Sequence, residues 1–441
     1  MTLSSPIRNP DLRNPAVMTR RAWWLIALTI FIPGSAQLLA GNRRLGRFLF
    51  GSWLSMLGIA VLAFLLNTFF ASFALTIATS GWGLLLLQIG LIFAAIVWFV
   101  AAVDAFRLVK IVYVGQRAKM WVSIAVVLSI ILPAGAASYA SFMAGVSRGA
   151  LANIFADNSD FVEPINGVYT FMLIGGDAGD GRISRRTDSM AFATVDATTG
   201  QVTIVGLPRN INNAPFVKGS PMLKDWPDGF NCGADCLLAY VYTYGLDHPD
   251  LYPKVGKNSD PGVEALRDSM EAITGMPVQF YVGVDMAGFR DLVDALGGVD
   301  ITLDKPVNVC KVGEKIRYTF QPGTIHMDGK KALRYARTRC DTNDYDRMKR
   351  QRQLEAAIFK QVKPSVIVAR FQDLAAASTS LFTTDVPQSM VGTFLDLAQK
   401  GRKLDIRRLE LVPPDFNTSY PDWELARKMI NETVFPRKSN G

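Results

Sequence analysis

The stretch VQFYVGVDMAGFRDLVDALGGVDITL, residues Val278–Leu303, has the clearest strand–helix–strand pattern in the chain. The apolar run Val278–Val284 predicts a strand, and Val299–Leu303 predicts a second one. Between them, Met286–Leu296 predicts a helix, because its apolar residues recur at helical spacing: Phe289, Leu292, Val293 and Leu296. Gly297-Gly298 then ends the helix, as glycine commonly does at a helix C-terminus. The stretch predicts an α/β fold.

The same alternation continues on both sides of this stretch. Three earlier runs predict strands: Val168–Gly175, Met190–Val195 and Val202–Leu207. Four more segments predict helices: Cys236–Tyr244, Val263–Thr274, Gly329–Tyr335 and Tyr345–Lys363. Strands mixed with helices of this length predict a sheet that is covered on both faces. We expect this domain at residues 163–441, after a short linker at residues 147–162.

The first 146 residues have a different composition, dominated by Leu, Ala, Phe, Ile and Val. Apolar runs at about residues 48–78, 82–106 and 120–145 are each long enough to cross a bilayer as a helix. A shorter run at about residues 23–41 is interrupted by Pro33-Gly34. We predict that residues 23–146 form an all-helical membrane region, preceded by a disordered cytoplasmic tail at residues 1–22.

Basic residues predict the orientation of this region. Loops rich in Arg and Lys lie at 43–47 and 107–119, whereas the loop near Ser80 has no charge. Because positive loops stay in the cytoplasm, three crossings export the chain after Gly145. A fourth crossing would export the basic N-terminus, so residues 23–41 are expected to be re-entrant or interfacial. The prediction is a multi-pass protein of the cell membrane with an extracytoplasmic C-terminal domain.

The formal net charge of +9 does not indicate a nucleic-acid partner, since no nucleic-acid-binding motif accompanies it. Topology signals explain the basic residues near the apolar runs, and arginines for phosphate recognition explain part of the remainder. The two histidines, His248 and His326, lie outside the motifs described next. Their spacing suggests no Ser-His-Asp or Cys-His pairing, so the sequence does not indicate a serine hydrolase.

Two segments that follow predicted strands contain candidate site residues. The first, GGDAGDGRISRRTDS at Gly175–Ser189, includes Asp177, Asp188 and Arg186, and its carboxylates are of the type that binds Mg²⁺. A flexible polar loop is the alternative interpretation. The second, GLPRN at Gly206–Asn210, presents Arg209 at the same edge of the sheet. A lone surface arginine is the alternative there.

A third segment, RYARTRCDTNDYDRMKRQRQ at Arg334–Gln353, is rich in arginine. Arg337 and Arg339 alternate before the helix, and three later residues share one helical face: Arg347, Arg350 and Gln351. Asp344 is a plausible N-cap, and Arg352 falls on another face, where substitution is expected to matter little. Guanidinium groups suit phosphate because their paired donors stay charged. A solvated basic helix face is the alternative.

These segments, in this order, resemble the LytR-CpsA-Psr family. The first resembles its G-x-D and R-x-D-[ST] motifs through Gly175, Asp177, Arg186, Asp188 and Ser189, GLPRN resembles P-R-D, and the third resembles R-x-R followed by D-x-x-R-x-x-R-Q. The resemblance spans about Tyr169–Lys363 and implies an α/β/α domain with a mixed central sheet outside the cell membrane. It also implies a phosphotransferase that moves a glycopolymer from polyprenyl pyrophosphate to a cell-wall acceptor such as peptidoglycan, with Mg²⁺.

The resemblance also implies roles for individual residues. Asp177 and Asp188 are expected to bind the metal and to serve catalysis together with Arg209, Arg337 and Arg339. The pyrophosphate pocket is expected to comprise six residues: Arg186, Arg209, Arg337, Arg339, Arg347 and Gln351. Two departures from the family pattern affect this assignment: Asn210 replaces the aspartate of P-R-D, and Asp235 stands near an expected lysine, for which Lys224 could substitute.

Two other functions fit the same residues. A lipid-pyrophosphate hydrolase would use the same pocket with water as the acceptor. A non-catalytic membrane regulator or scaffold would bind the ligand without turnover.

All four cysteines lie in the C-terminal domain. An even number suits disulfides in an oxidising compartment, and a zinc site with four cysteine ligands is the alternative. Of the three possible pairings, we predict Cys232–Cys236 and Cys310–Cys340. The first pair is close in sequence, and the second would brace the arginines that precede Cys340.

Overall fold

The structure is a computed structural model of the full chain. It describes residues 7–156, 161–176, 187–256, 258–310, 315–340, 342–361 and 382–436. The chain divides into two compact units, Met1–Arg148 and Gly149–Gly441.

The first unit is entirely helical where it is described. Its helices are α1 (Pro15–Phe31), α2 (Ser35–Ala40), α3 (Arg43–Phe69), α4 (Ala71–Thr79) and α5 (Gly81–Val109), followed by α6 (Gln116–Ile154), which continues into the second unit. Three helices are long and apolar enough to cross a membrane: Arg43–Phe69, Gly81–Val109 and Gln116–Ala152. These three correspond to the predicted membrane segments.

Several predicted boundaries in this unit were wrong. The tail predicted at residues 1–22 ends earlier, because Asn14 caps a helix that begins at Pro15. The segment predicted at 48–78 is two helices that meet at Phe70. The linker predicted at 147–162 is partly helical, since α6 extends to Ile154. The break predicted at Pro33-Gly34 does occur. Gly34 has a positive φ of 94°, and a Cβ there would lie 2.4 Å from the backbone nitrogen of Phe50.

The second unit is built on a mixed six-stranded sheet. Its strands are β1 (Val168–Gly176), β2 (Thr187–Asp196), β3 (Val202–Leu207), β4 (Phe280–Asp285), β9 (Phe382–Thr384) and β10 (Arg407–Glu410), and their order is β10-β3-β2-β1-β4-β9. The pairs β1–β4 and β3–β10 are parallel, whereas β1–β2, β2–β3 and β4–β9 are antiparallel. A mixed central sheet was the expectation.

The described helices of this unit pack against the two faces of this sheet or against a smaller lobe beside it. They are α7 (Leu238–Asp247), α8 (Pro261–Thr274), α9 (Met286–Ala295), α10 (Gly329–Arg337), α11 (Asp344–Gln361), α12 (Val391–Gly401) and α13 (Trp423–Val434). On one face, Met172 and Phe192 pack in a core with residues of α7, α8 and α13. On the other, Phe171 and Ala191 pack with residues of α12. Strand residues alternate between the two cores because successive side chains point to opposite faces.

A smaller lobe forms beside the sheet from four short strands. They are β5 (Val299–Leu303), β6 (Val307–Val309), β7 (Tyr318–Phe320) and β8 (Gly323–Met327), which pair as β5–β8 and β6–β7. Their core includes Val293 of α9, Tyr335 of α10 and Leu354 of α11. The two strands of the stretch Val278–Leu303 therefore lie in different sheets, because β4 joins the main sheet and β5 pairs with β8.

Candidate active site

A cavity of about 1340 Å³ lies between the main sheet and the smaller lobe. The ends of β1 and β4 open into it at Gly175, Gly176 and Asp285, and α9, α10, α11 and α12 form its other walls. Much of its lining is apolar, including Leu173, Ile174, Val282, Phe289, Leu292, Leu354 and Ile358. A carboxyl edge of a sheet beside helices is a common location for ligand sites in α/β folds.

Cationic side chains form the polar part of the lining. They are Arg209, Arg290, Arg317, Lys330, Arg334, Arg337, Arg339, Arg347 and Arg402. Only two carboxylates, Asp285 and Glu355, line the described part of the cavity with them. The described part of the lining is therefore strongly electropositive and suited to an anion.

Helix α11 shows how the polar and apolar parts are arranged. Its cavity-lining residues are Arg347, Gln351, Leu354, Glu355, Ile358 and Phe359, which recur at intervals of one, three and four residues along one face. At 1.5 Å per residue, the face from Arg347 to Phe359 is about 18 Å long. It begins with an arginine and an amide and ends with apolar side chains. A ligand with a charged head and a long apolar tail matches this gradient.

Asp344 joins three of the predicted arginines. Its carboxylate accepts hydrogen bonds from Arg209 Nε at 3.2 Å, from Arg339 Nη1 at 3.2 Å and from Arg347 Nη2 at 3.0 Å. The three arginines come from the loop after β3, the loop after α10 and the first turn of α11, so a single side chain links three segments. One negative charge against three positive charges leaves an excess of positive charge for an anionic ligand.

The predicted role of Asp344 as an N-cap was wrong. Asp344 is the first residue of α11, and the Asn343 side chain accepts a hydrogen bond from the backbone N–H of Asp346 at 2.9 Å. Asn and Asp are both good capping residues, so the sequence alone did not distinguish between adjacent positions. Asp344 is therefore a site residue that sequence reasoning assigned to local structure.

The structure brings five of the predicted site residues to this cavity: Arg209, Arg337, Arg339, Arg347 and Gln351. Arg337 is the last residue of α10, and Arg339 follows its C-cap. Asp177 and Arg186 lie outside the described residues, and so does the side chain of Asp188, whose backbone lies at the start of β2. The roles proposed for these residues remain predictions.

The predicted Mg²⁺ site therefore stays a prediction. Among the described residues, no group of three or more His, Cys, Asp or Glu side chains could hold a metal ion. The backbone of Asp188 lies directly before Ser189, which lines the cavity. Carboxylate oxygens are the ligands that Mg²⁺ prefers, so an aspartate at this position fits the chemistry of that ion.

Two further arginines of α11 do not behave as predicted. Arg350 was grouped with Arg347 and Gln351, but it is buried and donates to the carbonyl oxygens of Tyr335, at 3.1 Å, and Thr338. Burial lowers the pKa of its guanidinium. Arg350 therefore holds the C-terminal end of α10 instead of facing the cavity.

Arg352 was expected to matter little on another face of the helix, and its side chain is in fact only 3% exposed. It donates to Ser189 Oγ at 3.1 Å, to the Met190 carbonyl oxygen at 3.3 Å and to Glu355. Its Nε also lies 3.9 Å from Glu410 Oε1. The helical spacing correctly separated Arg352 from Arg347, but the sheet, not solvent, covers the face on which Arg352 lies.

Both predicted disulfides are present. Cys232–Cys236 has a Cα–Cα distance of 5.1 Å, and Cys310–Cys340 has one of 5.6 Å, so no free cysteine remains for a zinc site. Cys310 lines the cavity, and Cys340 directly follows Arg339. The Thr338 hydroxyl donates to the Asn308 carbonyl oxygen at 2.7 Å, which ties the arginine segment to β6 a second time.

Comparison with known proteins identifies relatives of the C-terminal unit. The sequence model of the LytR_cpsA_psr family matches residues 153–423, more than half of the chain. A polyisoprenyl-teichoic acid–peptidoglycan teichoic acid transferase, TagU, from Enterococcus faecalis is 28% identical over 222 residues, which cover 49% of this chain and 61% of that protein. Biofilm regulatory protein A from Streptococcus mutans is 25% identical over 226 residues, which cover 49% of this chain and 50% of that protein.

Among solved structures, protein gbs0355 from Streptococcus agalactiae is 20% identical, with a TM-score of 0.46, over 62% of this chain and 90% of that chain. The matches to the two curated relatives span between half and about three fifths of their lengths.

Proposed function

Because the chain belongs to the LytR-CpsA-Psr family, we propose that it transfers a glycopolymer from a polyprenyl-pyrophosphate carrier to a cell-wall acceptor such as peptidoglycan. The observation that supports this most is the gradient within one cavity, from clustered arginines to apolar side chains. A lipid pyrophosphate has the same gradient. A soluble sugar nucleotide would leave the apolar part of the cavity without a partner.

The proposed reaction is a displacement at phosphorus. A hydroxyl oxygen of the acceptor forms a bond to the phosphorus that holds the glycan, the bond from this phosphorus to the bridging oxygen breaks, and polyprenyl monophosphate leaves. Arg209, Arg339 and Arg347 stabilise the negative charge that grows on the leaving phosphate. Asp177 and Asp188 would hold Mg²⁺, which when bound adds positive charge at the pyrophosphate oxygens. The acceptor proton passes to a carboxylate, for which Asp177 and Asp188 are the candidates.

We also propose that the three long apolar helices all cross the membrane and that the C-terminal unit lies outside it. This arrangement suits the substrates, since the donor is a membrane lipid and the acceptor lies in the cell wall. The charge of the loops supports it, because the basic residues lie at the predicted cytoplasmic ends of the helices.

Product analysis with the full-length protein in lipid vesicles tests the proposal. The protein is incubated with a polyprenyl-pyrophosphate glycan and Mg²⁺, with and without peptidoglycan fragments. We expect glycan to be joined to the acceptor through a phosphodiester bond, with release of polyprenyl monophosphate. Release of glycan phosphate at the same rate without acceptor would instead identify a hydrolase. Binding of the donor without any product would identify a regulator.

Variants of the cavity arginines test whether the transfer measured in this assay depends on the cavity. Replacing Arg337 or Arg339 by Ala should slow transfer by about tenfold to a hundredfold, because a charge-assisted bond contributes about 1.5–3 kcal/mol. Replacement by Lys should restore only part of the rate, since a point charge cannot replace paired donors. Lys349→Ala, at an exposed position of α11, is the matched control. Equal rates for the Arg337→Ala and Lys349→Ala proteins would show that the arginine pocket has been misassigned.

A further inference from the structure

Arg352 is a buried charged residue for which the proposed chemistry has no direct use. It does not line the cavity, yet it contacts side chains and backbone from three directions. Removing a guanidinium from water is costly, and a pair of well-packed apolar residues is often as stable as a buried ion pair. A buried arginine in such a position therefore calls for a role in addition to stability.

The contacts of Arg352 converge on segments that hold the motifs. Ser189, whose hydroxyl accepts one of its bonds, directly follows Asp188 at the start of β2. In the sheet, Ser189 is the partner of Gly175 on β1, the first residue of the G-x-D motif. Arg352 itself lies one residue after Gln351 and five after Arg347, which line the cavity. One side chain thus joins the predicted carboxylate loops to the arginine helix.

Glu410 connects the same arginine to the third motif. It lies on β10 opposite Gly206, the first residue of GLPRN, and its Oε1 is 3.9 Å from Arg352 Nε. A Cβ at Gly206 would lie 1.9 Å from Glu410 Oε2, so the carboxylate rests directly on the backbone that leads to Arg209. A side chain at position 206 would displace the Glu410 carboxylate from this contact. Glu410, unlike Glu355, does not line the cavity.

We propose that Arg352, held by Glu410 and Glu355, is a positioning residue that fixes Asp188 relative to Arg347 and Gln351. This proposal rests on the proposed function and extends it to residues outside the cavity. The guanidinium group of Arg352 sets the distance between the start of β2 and helix α11. It therefore also sets the distance between Asp188, the predicted metal ligand, and the side chains predicted to bind pyrophosphate. An error of about 1 Å in such a distance can reduce the rate about a hundredfold.

Two substitutions test this role without removing a group that could touch the substrate. Arg352→Lys keeps the charge but cannot reach Ser189, Met190 and both glutamates together. Glu410→Gln keeps the shape and removes one buried negative charge. We expect kcat to fall about tenfold or more in the first variant and about threefold to tenfold in the second, with the KM for the donor within about twofold of the wild type at saturating Mg²⁺. Lys349→Gln on the exposed face of α11 should behave as the wild type.

Thermal stability separates positioning from a merely structural role. Glu410→Gln should leave the Tm at neutral pH unchanged or raise it, because an amide costs less to bury than a carboxylate. A variant with a lower kcat and an equal or higher Tm supports a positioning role, because a merely structural role would lower both. The proposal is overturned if the variants match Lys349→Gln in kcat, or if their lost activity equals their loss of folded protein.

A binding measurement keeps this test independent of the proposed reaction. The full-length protein is melted with inorganic pyrophosphate over a series of Mg²⁺ concentrations. We expect Arg352→Lys to need about tenfold more Mg²⁺ for half of the pyrophosphate-induced shift in Tm, since a displaced Asp188 would bind the ion more weakly. If the wild-type protein transfers no glycan, the proposed function fails, and this measurement still decides the role of Arg352. An unchanged Mg²⁺ requirement in Arg352→Lys would then overturn it.

Discussion

At the scale of single residues, Asp344 determines the electrostatic state of the arginine cluster. Its carboxylate bonds to Arg209, Arg339 and Arg347 at 3.0–3.2 Å, which is the kind of contact that a phosphate oxygen would make. Without ligand, the carboxylate limits the repulsion between guanidinium groups that come from three segments. When a pyrophosphate binds, the guanidinium groups that hold Asp344 can share their donors with it.

This arrangement predicts an unusual response to Asp344→Asn. The variant should have a lower Tm than the wild type at low ionic strength, because three arginines lose their common counter-charge. Inorganic pyrophosphate should raise the Tm of the variant more than that of the wild type, since the cluster gains one net positive charge. Transfer should nevertheless be slower, because the arginines are no longer held in place. Melting curves with and without pyrophosphate provide the measurement, and equal shifts in both proteins would contradict the assignment.

Glu355 and Glu410 give the protein a distinct dependence on pH. Burial raises the pKa of both carboxyls above the ordinary value of 4.5, although the Arg352 guanidinium acts in the opposite direction. A carboxyl with a raised pKa binds its proton more tightly in the folded state. Its contribution to stability is therefore greatest below pH 4.5 and is lost as the pH rises towards the folded-state pKa.

Glu410→Gln should remove one part of this dependence. The difference in Tm between the variant and the wild type should grow in favour of the variant as the pH rises from about 4.5. Melting both full-length proteins at a series of pH values, with Lys428→Gln at an exposed position of α13 as the control, provides the comparison. A constant difference in Tm across this range would mean that burial does not raise the pKa of Glu410.

At the scale of secondary structure, the Cys310–Cys340 disulfide anchors the segment between α10 and α11. It closes a longer loop than Cys232–Cys236, with sequence separations of 30 and 4 residues. Loop-closure entropy then gives about 3.6 kcal/mol for the longer loop and about 2 kcal/mol for the shorter one. The longer bridge also adjoins Arg339, which the shorter bridge does not.

The two disulfides should consequently differ in their effect on activity. Replacing Cys310 and Cys340 together by Ser should lower the Tm more than the same change at Cys232 and Cys236. It should also lower the transfer rate per folded molecule, because Arg339 loses its anchor. The Cys232/Cys236 double variant is the matched control and should retain most of its rate. If both double variants lost the same fraction of the rate, the anchoring role would be refuted.

Sequence patterns identified the elements with strong local signals. Strands β1, β3 and β5 and helices α8 and α9 agree closely with the predicted ranges, because apolar periodicity and glycine or proline boundaries define each of them. Strands β9 and β10 were missed. They have three and four residues, and β10 reads Arg-Arg-Leu-Glu, so pairing with a distant strand and not a local pattern determines their structure.

The site residues also divide into those that the sequence predicted and those that depend on contacts with distant segments. The resemblance to the LytR-CpsA-Psr family placed Arg337, Arg339, Arg347 and Gln351 in one pocket, whereas helical spacing alone grouped only Arg347 and Gln351, together with the buried Arg350. The tertiary contacts of Asp344 and Arg352 could not be predicted, since an aspartate near a helix start predicts a cap and an arginine on another helix face predicts solvent. What distinguishes them is the segment that packs against each side chain, and no local pattern specifies that segment.

At the scale of the whole molecule, the three long apolar helices determine on which side of a membrane the C-terminal unit would lie. A reporter enzyme that is active only outside the cytoplasm, fused after Ile154 at the end of α6, should be active. The same reporter fused at Lys110, between α5 and α6, should be inactive, since that basic loop is expected inside. A cytoplasmic reporter should show the reverse at both positions. Activity of the external reporter at Lys110 would invert the proposed topology.

The strand order of the main sheet has a consequence for how the C-terminal unit avoids self-association. Its two edges are β9, with only three residues, and β10, which has Arg407 and Arg408 side by side. Unpaired edge strands are templates for aggregation, and short length and charge both reduce that risk. A second copy approaching β10 would bring its own arginines against these two. The C-terminal unit can therefore fold beside other copies of itself without its sheet extending into that of a neighbour.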